Sequence, residues 1–230
     1  MTASVIICAH NHLQDLTTPC LSSVLQNTAH PYQLILIDDG SRDHTALYFQ
    51  TIPNAITHRN SRRAGVSVAK NIGLSLSTGD PIVFIDNDVT VPAGWLGIIA
   101  EEIEKPLVGV VGGIPSNEME RLKAPLSSDM LLDFNQVGSA CMGTTRACHN
   151  IVGFFDEGLD DAHEDTDYCW RARLAGFRVV STPRLIVAHA VGGTRRDLPD
   201  APRRKATRYL KHKYRKYEAT FHVNELYPFP

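Results

Sequence analysis

The chain is predicted to be an α/β protein with a mostly parallel central sheet and helices on both of its faces. Short, nearly unbroken apolar runs alternate with segments whose apolar residues recur every three or four positions. Strands buried on both faces read as such runs, and the alternation with helices implies parallel crossovers. Three of the runs stop in polar clusters: His10-Asn11, Asp38-Asp39 and Asp86-Asn87-Asp88. The 230 residues, 43% hydrophobic and 21% charged, suit one large domain with a substantial core, and no repeat or linker divides them.

The elements follow in order. Ser4–Ala9 is a strand too short for a helix, and Leu13, Leu16, Leu21, Val24 and Leu25 keep helical spacing. Tyr32–Ile37 is a second strand, stopped by Asp38-Asp39-Gly40-Ser41. A short helix over Asp43–Gln50 and a short strand over Ala55–His58 come next, then a helix from Val66 to Ser77 that stops before Gly79. Pro81–Ile85 is a strand, Gly94–Glu104 a helix and Leu107–Val111 a strand. Residues 113–135 have no clear period, and a connection that long is functional or mobile. Ser139–Thr145 reads as a strand, Phe154–Asp161 as a loop and Glu164–Ala175 as a helix ending at Gly176. Phe177–Val180 and Leu185–Ala188 read as two short strands, and Arg203–Tyr217 as a basic helix.

Composition removes several classes. No run of about 18 apolar residues exists to cross a membrane. The N-terminus lacks a basic segment followed by a long apolar one, so the expected location is the cytoplasm. Five scattered cysteines without a C-x-x-C pair speak against a disulfide framework or a structural zinc site. Charge is segregated: residues 195–230 carry ten Lys and Arg against four acids, a net +6, which leaves −8 on residues 1–194. No G-x-G-x-x-G, Walker A, G-x-S-x-G or H-E-x-x-H occurs, which weighs against the enzymes built on them. The acidic body, with no stacking platform, excludes nucleic acid as the expected partner.

Ligands bind at the carboxyl ends of parallel strands, so the three polar clusters should converge on one crevice. Asp86 and Asp88, two positions apart after a strand, can supply a hydrogen-bond acceptor and a ligand for Mg2+ or Mn2+; a solvated turn capping the strand fits them equally well. Seven acids crowd positions 156–167. Most read as a solvated capping turn, but Asp165 shares a helix face with Cys169 and Ala172. Burial there would raise its pKa and suit it to act as a general base. His189 follows a strand and precedes Gly192-Gly193, which permit close approach of a ligand. Lys70, with Arg62-Arg63 before its helix, is placed for a phosphate or nucleobase, although a solvated basic face serves as well for the arginines.

Together the segments SVIICAHN (4–11), ILIDDGSRD (35–43), AGVSVAKNIGLSLSTGDPIVFIDNDV (64–89), VGFFDEGLDDAHEDTDYCWRARLAGFRVV (152–180) and the His189 stretch resemble the inverting family 2 glycosyltransferases of the GT-A fold. The resemblance covers roughly residues 3–194 and implies a nucleotide-binding half over about 1–90 and an acceptor-binding half over about 91–194. The basic extension 195–230 lies beyond it. It further implies a nucleotide-diphosphate sugar donor, UDP-, dTDP- or GDP-linked, bordered by Ala9 and Asn11. Asp39 would meet the base, Asp86 with the adjoining Asn87 the ribose, and Lys70 the nucleotide. Asp88 and His189 would hold a divalent metal, Mn2+ or Mg2+. Asp165 would be the catalytic base, with Glu164 orienting it or holding a carbohydrate or lipid-linked acceptor.

Two other readings compete. A sugar-phosphate nucleotidylyltransferase keeps the fold, but its glycine-rich basic loop after the first strand is replaced here by AHNHLQDLTTPC. A non-catalytic nucleotide- or sugar-binding module is opposed by the intact set Asp86, Asp88, Glu164, Asp165 and His189. The basic tail, thin in apolar residues, is read as a solvated helix or partner contact, and at most as a peripheral attachment to an anionic membrane.

Overall fold

The computed structural model describes residues 2–117, 130–159, 162–190 and 200–222. Asp160, Asp161, Gly192, Gly193, Arg195, Arg196 and most of the unpatterned 113–135 stretch lie outside the described residues. The central sheet takes the order β3-β2-β1-β4-β8-β6-β9-β5, with β7 (Leu132–Asp133) on β9. Strands β1 (Ala3–Ala9), β2 (Tyr32–Asp38), β3 (Ile56–Arg59) and β4 (Ile82–Asp86) are mutually parallel. β8 (Cys141–Thr144) then runs antiparallel between β4 and β6 (Val108–Pro115), and β6 is parallel to β9 (Arg178–His189).

Register brings the strand ends level. Ala9 pairs with Asp38 and Cys8 with Asp86, so the polar clusters after β1, β2 and β4 open at one height. Alternate residues of β1 feed opposite layers, as the two-residue period of a strand requires. Val5 and Ile7 pack with Leu21 and Val24 of α1 (Thr18–Asn27) and with Trp95 and Ile99 of α4 (Trp95–Ile103). Ile6 packs on the other face with Ala69 and Leu74 of α3 (Val66–Leu76) and with Tyr168 and Cys169 of α6 (Glu164–Leu174). All five cysteines are free thiols, and burial pushes Cys148 up to about 11.

The structure departs from the sequence reading in several places. The helix expected from Leu13 opens as a five-residue π-turn over Leu13–Thr17. The short helix expected from Asp43 is α2 (Thr45–Gln50), because Asp43 instead accepts from the Thr45 amide and hydroxyl. The two strands expected between Phe177 and Ala188 are one twelve-residue strand, β9, bulged against β6. A strand of two residues, β5 (Val89–Thr90), and a helix, α5 (Arg146–Val152), were not expected. The cap of α5 is a side-chain bond from the Cys148 amide to Thr145 Oγ1 at 2.9 Å.

The basic tail is not a solvated helix. α7 (Asp200–Lys213), a short 3₁₀ turn (Arg215–Tyr217) and α8 (Glu218–Phe221) bury Ala206, Leu210, Tyr214 and Phe221 against Trp170 of α6 and Leu159. Four apolar residues are few by count, but three fall at i, i+4 and i+8 and form one stripe.

Candidate active site

Three groups of side chains sit at the carboxyl ends of β1, β2 and β4. The first fixes the β1–β2 mouth. Ala9 is buried at the end of β1, and Asn11 adopts a left-handed conformation with φ 59°. The Asn11 amide donates to Ser41 Oγ at 2.8 Å, and its Oδ1 accepts from the Arg42 amide at 2.7 Å. Asp39 is buried and already engaged: its Oδ1 accepts from Asn60 Nδ2 and the Ala64 amide, both at 2.8 Å, and its Oδ2 from the Gly65 amide at 2.9 Å. Asp39 thus ties segment 60–65 across the mouth. Gly40 is required there, because it has φ +70° and a side chain on it would meet the Arg62 backbone at 2.3 Å. Arg62 and Arg63, singled out in the sequence, line a basic cleft beside this mouth with Arg42, Arg59, Asn11 and Ser41.

The second group is a buried cation among carboxylates. Lys70 is only 1% exposed on α3. Its Nζ donates to Ser139 Oγ at 2.6 Å and to Glu164 Oε1 at 2.9 Å, and lies 3.4 Å from Asp86 Oδ1. Burial works against that charge, but Asp86, Glu164 and Asp165 outweigh it and hold the Lys70 pKa above the ordinary lysine value. Asp165, next to Glu164 in the first turn of α6, is partly buried, its Oδ2 accepting from the Ser139 amide at 3.0 Å and its Oδ1 from the Thr166 amide at 2.7 Å. Desolvation first, and the Glu164 charge second, raise it to about 6 from 3.8, against the pull of Lys70. Two backbone amides fix the direction of this raised carboxylate, an arrangement that can accept a proton.

The third group is a pair. β5 is antiparallel to the end of β9, so Val89 faces His189 and brings Asp88 beside it. His189 Nε2 stands 3.3 Å from Asp88 Oδ1, a buried oxygen that accepts no hydrogen bond. An unsatisfied carboxylate oxygen facing an imidazole nitrogen fits a shared cation. No set of three or more His, Cys, Asp and Glu suited to a metal occurs among the described residues. Two protein ligands completed by substrate phosphate and water suit Mg2+ or Mn2+.

Of the residues expected from the sequence, Lys70, Asp86, Glu164 and Asp165 therefore form one network, Asp88 and His189 a second, and Ala9, Asn11 and Asp39 a third. Asn87 turns inward, its Nδ2 donating to Thr17 Oγ1 at 3.0 Å, and anchors the turn between Asp86 and Asp88. Ser139, which contacts Lys70, Glu164 and Asp165, was missed. It follows an aperiodic stretch, and no local pattern marks it.

The chain matches the model of the family described as "Glycosyl transferase family 2" over residues 4–182. It is 30% identical over 181 residues to the pre-mycofactocin glycosyltransferase of Mycobacterium tuberculosis, covering 68% of this chain and 37% of that protein. It is 29% identical over 118 residues to the glucosyl-dolichyl phosphate glucuronosyltransferase of Haloferax volcanii, covering 49% of this chain and 38% of that one. The chain thus spans less than two-fifths of the length of these relatives. Among solved structures it resembles the mannosyltransferase PcManGT of Pyrobaculum calidifontis in complex with GDP-Man and Mn2+, with a TM-score of 0.74 and 18% identity over 96% of this chain and 68% of that one. It also resembles GalNAc-T7 with UDP, GalNAc and Mn2+, with a TM-score of 0.68 and 18% identity over 82% of this chain and 44% of that one. These likenesses establish the GT-A fold expected from the sequence. With 179 of its residues inside the family model, the chain belongs to glycosyl transferase family 2.

Proposed function

We propose that the protein moves a sugar from a nucleotide-diphosphate donor to an acceptor hydroxyl with inversion, by direct displacement. The observation that carries this is the network in which Lys70 joins Asp86, at the donor crevice, to the Glu164-Asp165 pair. Asp86 meets the ribose, Lys70 sets the charge between the two halves, and the β1–β2 mouth around Ala9, Asn11 and Asp39 holds the base. The acceptor oxygen bonds to C1 as the bond from C1 to the phosphate oxygen breaks; Asp165 takes the hydroxyl proton and the nucleoside diphosphate leaves. Attack from the opposite face inverts the anomeric centre. Asp88 and His189 are the residues that would hold Mn2+ or Mg2+, which when bound neutralises charge growing on the leaving diphosphate.

The donor is a UDP-, dTDP- or GDP-sugar, a reading supported by the nucleotides in the solved relatives. The acceptor is a carbohydrate or a lipid-linked molecule. No helix among the described residues is long and apolar enough to cross a membrane. We place the reaction in the cytoplasm, with contact to the inner face of the membrane limited to the basic outer side of α7. The deciding experiment follows nucleoside-diphosphate release from a sugar-nucleotide panel, with and without acceptors, in wild type and Asp165→Asn. Acceptor-stimulated release that falls about 10²–10⁴-fold in the variant is the expected result. Background release throughout, with normal nucleotide binding, would make the protein a binding module.

A further inference from the structure

The segment that carries the Glu164-Asp165 pair is held from two sides. On the donor side α3 binds it: Ser67 Oγ donates to the Leu159 carbonyl at 3.2 Å, Asn71 Nδ2 to the Phe155 carbonyl at 3.0 Å, and Lys70 to Glu164. On the other side stands α7, outside the 4–182 span of the family model. Lys213 Nζ lies 2.6 Å from Asp156 Oδ2 and 2.6 Å from Asp167 Oδ1, joining the first acid of the crowded run to the last. Tyr209 Oη donates to Asp156 Oδ2 at 3.0 Å, and Tyr214 Oη to Asp167 Oδ1 at 2.8 Å. Asp167 is fully buried, and its second oxygen accepts from Arg171 Nε at 2.8 Å. His163, the left-handed residue immediately before Glu164, meets Thr207 Oγ1 through Nε2 at 2.8 Å.

Crowded carboxylates repel unless a cation offsets them. Here Lys213 of a separate helix does so for Asp156 and, together with Arg171, for Asp167, and Thr207 of that helix holds His163, the residue just before α6. α7 is thereby the outer jaw of a clamp whose inner jaw is α3, and the base lies between them. These bonds of α7 go to the acidic segment and to the start of α6, so a change on α7 reaches the donor side through Glu164 and Lys70.

We propose that Lys213 is a positioning residue for the Asp165 base, acting with Thr207 to set the first turn of α6 against the donor. The inference rests on the reading of Asp165 as the base. The test compares Lys213→Met, Lys213→Arg and Thr207→Val in the full chain, measuring nucleoside-diphosphate affinity by calorimetry and turnover by nucleotide release. Lys213→Met should bind the nucleotide within about twofold of wild type while kcat falls about 10²-fold, the scale on which a small misplacement of a reacting group costs rate. Lys213→Arg should recover most of that loss. Thr207→Val, which keeps the helix docked, should lower kcat about 3–10-fold without changing affinity, and it decides the matter should Lys213→Met fail to fold. Unchanged kcat in Lys213→Met, or in Thr207→Val where the first does not fold, overturns the proposal, as does affinity that falls in step with kcat. Failure of the underlying reading looks different: Asp165→Asn would then turn over like wild type.

Discussion

Replacing Asp165 by Asn should make the protein more stable and nearly inactive. The native carboxyl titrates at about 6 and the reference group at 3.8, so between those values the folded state holds a proton that the unfolded chain has released. Stability therefore falls as pH rises through that window, and above about pH 6 the ionised, desolvated carboxylate costs stability in full. A difference of about two pKa units corresponds to about 3 kcal/mol. Partial solvent contact of the side chain trims this, and an amide cannot accept from both the Ser139 and Thr166 amides, which costs about 1 kcal/mol. The net expectation is about 1–2 kcal/mol of stabilisation at pH 8, or a rise in Tm of about 2–8 °C, shrinking to nothing or reversing below about pH 4. Calorimetric melts at pH 8 and pH 4 measure it. In wild type, turnover should climb with pH through about 6, because the base must be ionised to accept a proton. A variant that melts lower than wild type at pH 8, by the same margin as at pH 4, refutes the reasoning.

Other consequences follow from single contacts. Lys70→Met removes a cation shared by the partly exposed Asp86 and the buried Glu164, and taking that partner from the buried Glu164 should lower stability by about 3–5 kcal/mol in urea unfolding. Phe221→Ala removes the ring stacked on Trp170 at 4.6 Å and should cost about 3 kcal/mol, with Trp170 emission moving to the red as α8 releases it. Asp39→Asn loses at least one of three bonds to segment 60–65 and should weaken nucleotide binding about tenfold in calorimetry, with a modest drop in Tm.

The parallel half of the fold was legible because β1, β2 and β4 are buried on both faces and leave unbroken apolar runs. Their polar ends marked the crevice for the same reason: a strand terminus that opens to solvent needs polar residues. What no local pattern carries is chemistry distributed across the chain. Lys70 reads locally as one cation in an apolar helix, and its importance comes from Ser139, Asp86 and Glu164, which lie 16 to 94 residues away. β8 lies antiparallel to both β4 and β6, pairings with distant segments that Cys141–Thr144 cannot encode alone. By composition the tail reads as solvated, because its apolar residues are few and only their spacing puts them on one buried stripe. Asp165 shares a helix face with Cys169 and Ala172, as the spacing predicts, but those two are fully buried while Asp165 keeps an opening to solvent.

The most direct test of the account is a calorimetric titration with UDP, GDP, dTDP and CDP, each with and without Mn2+, on wild type and Asp88→Ala. One nucleotide should bind wild type tightly only with the metal present, and Asp88→Ala should lose that metal-dependent binding. Binding that ignores both the metal and Asp88, or no binding of any nucleotide, would contradict it.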